Sequence, residues 1–153
     1  MENTSRLANQ AWEALLRAES TLAREYEHEG EWDDLLPREY GVLYALARAR
    51  DGLRIIDLCA DALLTQAGVS RLVARLERRG LVERTGDPHD GRASRIRLTP
   101  DGRDVRRRVG RNHGRHVNTA MTRALSPEQL TTLRDLCLAL TEAATTRPDR
   151  NPQ

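Results

Sequence analysis

Residues Thr65 to Gly102, TQAGVSRLVARLERRGLVERTGDPHDGRASRIRLTPDG, carry two periodicities back to back. Val69, Leu72, Val73 and Leu76 recur at three- and four-residue intervals, which is the spacing of one buried helix face. Gln66, Ala67, Ser70, Arg71, Ala74, Arg75 and Arg78 are left on the other side. Thr65 stands where an N-cap hydroxyl takes up a free backbone N–H, and Gly80 follows as a helix-stopping residue. Then the period changes to two: Val82-Glu-Arg-Thr and Ile96-Arg-Leu98 alternate apolar with polar on either side of Gly86-Asp-Pro-His-Asp-Gly91, which is turn chemistry. This predicts a hairpin with a long charged tip.

Upstream, Ile55, Ile56, Leu58, Cys59, Ala62 and Leu63 mark a second short amphipathic helix, joined to the first by only a residue or two around Leu64. So tight a connection reads as helix-turn-helix, to which the hairpin adds a wing. The expected fold is mainly α with a small β-hairpin wing. Pro37 suits the first position of a helix through about Arg48, with Tyr40, Val42, Leu43, Leu46 and Ala47 apolar, so the winged helix-turn-helix spans about residues 37 to 99.

Outside that core, residues 5 to 27 place Leu7, Ala11, Trp12, Leu15, Ala18, Leu22 and Tyr26 at helical spacing, and Thr99-Pro100 opens a long helix to about Arg123. Ser126-Pro-Glu-Gln129 combines an N-cap, a proline at the first helical position and a capping-box glutamine, and starts a last helix with the stripe Leu130, Leu133, Leu136, Cys137, Leu140. The tail 147–153 lacks apolar residues and is expected to fray. Apolar stripes on helices outside the winged-helix core would stay wet in one chain, so residues 5–27 and 100–146 read as dimerisation helices. A two-fold dimer places two reading helices about one DNA turn, ~34 Å, or a multiple of it apart, which suits a palindromic operator.

The 153 residues suit a single domain, and no apolar run reaches the ~18 residues that span a membrane. No leader with a cleavage site is present, so the expected location is the cytoplasm. The net charge of +2 hides an asymmetry: residues 65–123 hold 15 Arg against 6 acidic residues, so a polyanionic partner is expected to meet that segment. The run Arg106-Arg-Arg108 with Arg111 and Arg115 either belongs to that surface or merely solvates a helix. The chain has neither Lys nor Phe, which points to a GC-rich genome rather than to function. Double-stranded DNA is the partner this charge and fold imply. Gln66, Ala67, Ser70 and Arg71, beside the cap Thr65, face where side chains reach base edges, while Arg75, a turn on, suits a phosphate. Arg92 and Arg95 flank the hairpin turn and face the same partner.

These residues resemble the multiple antibiotic resistance regulator (MarR) family of winged-helix transcription factors. The match rests on Leu43-Tyr-Ala-Leu-Ala47, Gly68-Val-Ser-Arg-Leu-Val73, Leu76-Glu-Arg-Arg-Gly-Leu-Val82, Asp90-Gly-Arg92 and Leu98-Thr-Pro-Asp-Gly102, within a resemblance over roughly residues 5 to 145. Leu36 departs from it, since the family favours a capping Ser or Thr there. The resemblance implies the same dimer, a tip arginine, Arg92, that enters the minor groove with Asp90 orienting it, and a crevice for small aromatic or anionic effectors. Here that crevice would be lined by Trp12, Leu16, Tyr40, Tyr44 and His113. The function expected is a homodimeric repressor released from its operator by such a molecule.

No activated nucleophile or phosphate-cradling loop marks an enzyme, and His89 between Asp87 and Asp90 reads as a turn residue. No cofactor is expected. Cys59 and Cys137 lie on apolar stripes and read as core filler, with redox control the alternative. His113 and His116, with His28, Glu25 and Glu29, offer a metal-responsive alternative, although no tight ligand motif supports it. A non-specific DNA-packing protein is the remaining alternative, and it would show no preference for a palindrome.

Overall fold

A computed structural model describes residues 2–62 and 65–146; the readings placed on Leu63, Leu64 and the tail 147–153 lie outside the described residues. The order is α1 (Glu2–Glu29), α2 (Pro37–Ala47), α3 (Ile55–Ala62), α4 (Gln66–Arg78), β1 (Val82–Asp87), β2 (Asp90–Leu98), α5 (Pro100–Thr122) and α6 (Pro127–Thr145). The described residues cluster into two compact units that part within α5, between Gly114 and Arg115.

In the first unit the core lies where α2, α3, α4, the hairpin and α5 converge. Leu43, Leu58, Val69, Val73, Leu76, Ile96 and Val109 are all buried there, each larger side chain contributing roughly 1.5–3 kcal/mol of apolar burial. Val69, Val73 and Leu76 are the expected inner face of α4. Ile56 differs from its reading: it is 66% exposed, while Leu58 supplies the buried side of α3. An eight-residue helix turns only one narrow face to the core, and Ile56 sits off it.

β1 and β2 pair antiparallel from Val82↔Leu98 to Gly86↔Ser94, after which the register shifts and Asp87 pairs with Asp90. The turn is therefore only Pro88 and His89, shorter than the six-residue tip expected, and residues 91–93 bulge from the longer strand. Leu53 extends the sheet through paired bonds with Ile96, N to O 3.1 Å and O to N 2.8 Å.

The join between α4, the hairpin and α5 is tightly specified. Gly80, at φ 70°, takes the left-handed position after the C-cap Arg79, and the Leu81 N–H reaches back to Leu76 O at 3.0 Å, the closing bond of a Schellman motif. Thr99 Oγ1 donates to Gly80 O at 2.6 Å and accepts from Gly102 N at 3.0 Å, so one hydroxyl both caps α5 and ties it to the end of α4. A Cβ on Gly102 would stand 1.9 Å from Leu81 O, which is why glycine follows Thr-Pro-Asp here.

At the start of α2, Leu36 offers no side-chain cap. Half of a capping box replaces it: Glu39 Oε2 accepts from Leu36 N at 2.8 Å. In the second unit Ser126 caps α6 by accepting from Gln129 N, while Gln129 Oε1 accepts from Ser126 N at 2.8 Å. No residue of α6 is buried.

Candidate nucleic-acid interface

The reading helix α4 begins at Thr65, whose Oγ1 accepts from Gly68 N at 3.2 Å. That cap fixes the first turn, so Thr65, Gln66, Ala67 and Arg71 stand exposed on one side with Ser70 half-buried beside them. Arg71 has no carboxylate partner among the described residues, which leaves its planar fork of donors available to a base edge or phosphate.

Arg75, read from the sequence as suited to a phosphate, also has a partner within the protein. Its Nε lies 2.9 Å from Glu39 Oε1, and the Glu39 side chain is completely buried. The one carboxylate that caps α2 thus also faces the outer side of α4 and sets the two helices against each other. Arg79, one turn on, donates to Asp34 O at 3.0 Å and Asp33 O at 3.3 Å, anchoring the far end of α4 to the loop before α2. Arg84 Nε to Glu77 Oε2, 3.1 Å, joins β1 to the same helix.

The wing is organised by Asp87, which the sequence reading took for a turn residue. Its side chain is inaccessible; Oδ2 accepts from Arg54 Nε at 2.7 Å and Arg95 Nε at 3.0 Å, and Oδ1 accepts from His89 N at 2.8 Å. Arg95 also donates to Gly52 O at 3.2 Å. Arg95, expected to face DNA, also ties the hairpin to the segment before α3, and Arg54, which sequence reasoning missed, is its counterpart in that role. Asp90 is exposed beside the turn, paired in register with Asp87. The backbone of Arg92 lies in the bulge of β2, and its side chain is outside the described residues.

The bond from Arg54, then that from the His89 N–H, outweigh burial and hold the Asp87 carboxyl far below the ordinary carboxylate range. A depressed carboxylate stabilises the fold fully above its unfolded pKa of about 4 and loses that contribution only as pH falls through the lower folded value. The wing is therefore expected to hold unchanged across neutral and mildly acidic pH. Asp87→Asn should leave Arg54 and Arg95 without their shared anion and weaken DNA binding by about tenfold or more at all of those pH values. A mobility-shift titration at pH 5.5 and 7.5 checks this; a variant that binds like the parent would remove Asp87 from wing positioning.

A second cluster lies between α1, the α1–α2 loop, α2 and α5. His113 sits 5.2 Å from the ring of Tyr26, 5.3 Å from Trp32 and 5.5 Å from Tyr40, and Trp32 Nε1 donates to Tyr26 O at 2.8 Å. Tyr44 adjoins Tyr40 at 6.2 Å, with the guanidinium of Arg106 5.5 Å from its ring. Burial, opposed by Arg106, raises the Tyr40 phenol above its ordinary pKa. Of the five effector residues read from the sequence, Tyr40, Tyr44 and His113 come together. Trp12 and Leu16 lie exposed on α1, and Tyr26 and Trp32 stand beside His113. Period alone cannot tell which of two aromatic residues on adjoining segments turns inward.

Cys59 Sγ donates to Ile55 O at 3.2 Å within α3, and both cysteines are free and half-buried. Among the described residues, no three His, Cys, Asp or Glu side chains gather to hold a metal ion, and no helix is long and apolar enough to cross a membrane.

A winged helix with an exposed reading face and a pinned hairpin defines a class of DNA-binding proteins. The model of the MarR family matches residues 33–93. The chain is 32% identical over 99 residues to the transcriptional regulator HosA of Escherichia coli O111:H-, covering 65% of this chain and 71% of that protein. Its fold is similar to that of Sco3205, a MarR family transcriptional regulator from Streptomyces coelicolor solved in complex with DNA, with TM-score 0.76, 30% identity, and 88% and 86% of the two chains covered. It is also similar to the PcaV transcriptional regulator of the same organism, solved in complex with its natural ligand, with TM-score 0.67, 29% identity, and 89% and 92% covered. The chain belongs to the MarR family and is a DNA-binding transcriptional regulator, not an enzyme.

Proposed function

We propose that this regulator acts as a single functional unit in a homodimer, represses from a palindromic operator, and leaves it when a small aromatic or anionic molecule binds. The observation that carries the dimer is uncovered apolar surface. Trp12 and Leu16 on α1, 59% and 46% exposed, and Leu136 and Leu140 on α6, 60% and 62% exposed, each stand one turn apart, and a second copy of the chain would cover both faces. Trp12 and Leu16 are assigned to that interface rather than to the effector pocket.

On DNA, Thr65, Gln66, Ala67, Ser70 and Arg71 are proposed to face the major groove and Arg92, beside Asp90, the minor groove. Arg75 and Arg95 position α4 and the wing. The effector is proposed to enter beside Tyr40, Tyr44 and His113, displacing the packing of Tyr26 and Trp32. PcaV is a relative that was solved in complex with its natural ligand. A molecule that binds the DNA-incompetent state better must bind more weakly when operator is present.

The test is a screen of phenolic and aromatic carboxylate compounds for two effects together: a raised melting temperature of the free protein and release of operator DNA. His113→Ala is expected to blunt release while DNA affinity stays near that of the parent. Compounds that move neither quantity, with zinc or an oxidant releasing DNA instead, would overturn the effector reading in favour of metal or redox control.

A further inference from the structure

The arginine run of α5 does not act as one surface. Arg107 pairs with Asp104 and Arg108 with Asp33, whereas Arg106 turns toward α2, its guanidinium over the Tyr44 ring and its Nε buried without a hydrogen-bond partner. A buried donor of that kind is uncommon in a folded protein and asks for an acceptor. Arg106 lines a cleft of about 360 Å3 together with Arg50, from the segment after α2, and Arg103, from the first turn of α5. Leu46, Ala47 and Leu98 also line it and form its apolar part, with Leu46 and Leu98 buried. Arg103 is aimed by a bond from Nη1 to Leu98 O at 2.9 Å. Among the described residues none of these three guanidiniums has a carboxylate within ion-pair distance, although Asp104 neutralises Arg107 at the rim.

We infer that this cleft binds a small organic anion, a carboxylate or a phosphate monoester on an apolar body. Three uncompensated like charges around one hollow repel one another, and an anion relieves that repulsion. Guanidinium forks match carboxylate and phosphate oxygens, and a space of this size holds a small ligand. The apolar floor separates such a ligand from inorganic phosphate and from a DNA backbone, neither of which brings a group to cover it. The site goes beyond the effector pocket proposed above: Tyr26, Trp32, Tyr40 and His113 do not line it.

The test titrates the full chain by calorimetry with naphthoate and naphthyl phosphate, and with naphthalenemethanol and inorganic phosphate as probes lacking the charge or the apolar body. At the cleft one anion per chain is expected to bind saturably, about tenfold or more tighter than either incomplete probe, beside any that the effector pocket takes. Comparing the two anions tells carboxylate from phosphate. In a His113→Ala background, where the effector pocket is disabled, one saturable site should remain; adding Arg50→Gln with Arg106→Gln should weaken it by about tenfold or more, and the exposed Arg50→Gln alone should weaken it measurably. Three results would overturn the inference. One is no saturable binding of either anion at about 10 mM. Another is unchanged binding in both arginine variants, or no saturable site left in His113→Ala, which places the anion among the aromatic rings. The third is an arginine pair that loses DNA affinity and salt dependence while probe binding is unmoved.

Discussion

Deleting residues 126–153 is expected to leave a monomer that has lost its grip on a two-half-site operator. The reason is the face of α6: it is capped at Ser126 and presents Leu136 and Leu140, one turn apart, to solvent with nothing of its own helix buried. Apolar side chains on an otherwise well-capped helix are stable in water when another surface covers them. Two linked reading heads bind a paired site about 10²–10⁴-fold more tightly than one, so that factor should disappear together with the dimer. The deletion leaves α2 to α4 and the hairpin whole, so weak binding to a single half-site should remain. Analytical ultracentrifugation beside a mobility-shift titration reads both quantities. A truncated protein that still sediments as a dimer would show that α6 is not part of the interface.

Glu39→Ala is the second large effect expected. The carboxylate accepts from Leu36 N at 2.8 Å, lies 2.9 Å from Arg75 Nε and is wholly buried, so its loss uncaps α2 and removes the anion opposite Arg75 at once. Losing an N-terminal cap costs about 0.5–2 kcal/mol, and the loss of the ion pair adds little to that because the Arg75 side chain is 46% exposed and regains water. Glu39→Gln keeps an acceptor for the Leu36 N–H and drops only the charge, and should fall between the parent and the alanine variant. Chemical denaturation measures the difference. A Glu39→Ala protein within about 0.5 kcal/mol of the parent would mean that neither bond matters to stability.

Much of the fold was legible because its boundaries are written locally. Thr65 before α4, Gly80 after it, Thr99-Pro100 at the start of α5 and Ser126 with Gln129 at the start of α6 each act within a few residues of their own position, and all four stand where they were expected. What was not legible is pairing at a distance. Asp87 takes Arg54, 33 residues away, and Arg75 faces Glu39; composition shows many arginines and acids and says nothing of which meet. One signal was available and overlooked, since Glu39 stands three residues after Leu36, the capping-box spacing. The aromatic cluster shows the same limit, because Trp32 stands in the loop before α2, where no periodicity marks it, and only the packing of that loop brings it against His113.

The most direct test of the central claim, that the exposed N-terminal face of α4 reads sequence, is selection of bound DNA from a random pool by the parent protein and by Arg71→Ala. The parent should enrich a two-fold symmetric pair of half-sites about one helical turn, or a multiple of it, apart. The variant should lose preference at one base pair in each half-site, with roughly 1–3 kcal/mol less affinity for the selected operator. Enrichment of no symmetric site, or an identical motif bound with equal affinity by Arg71→Ala, would contradict the account.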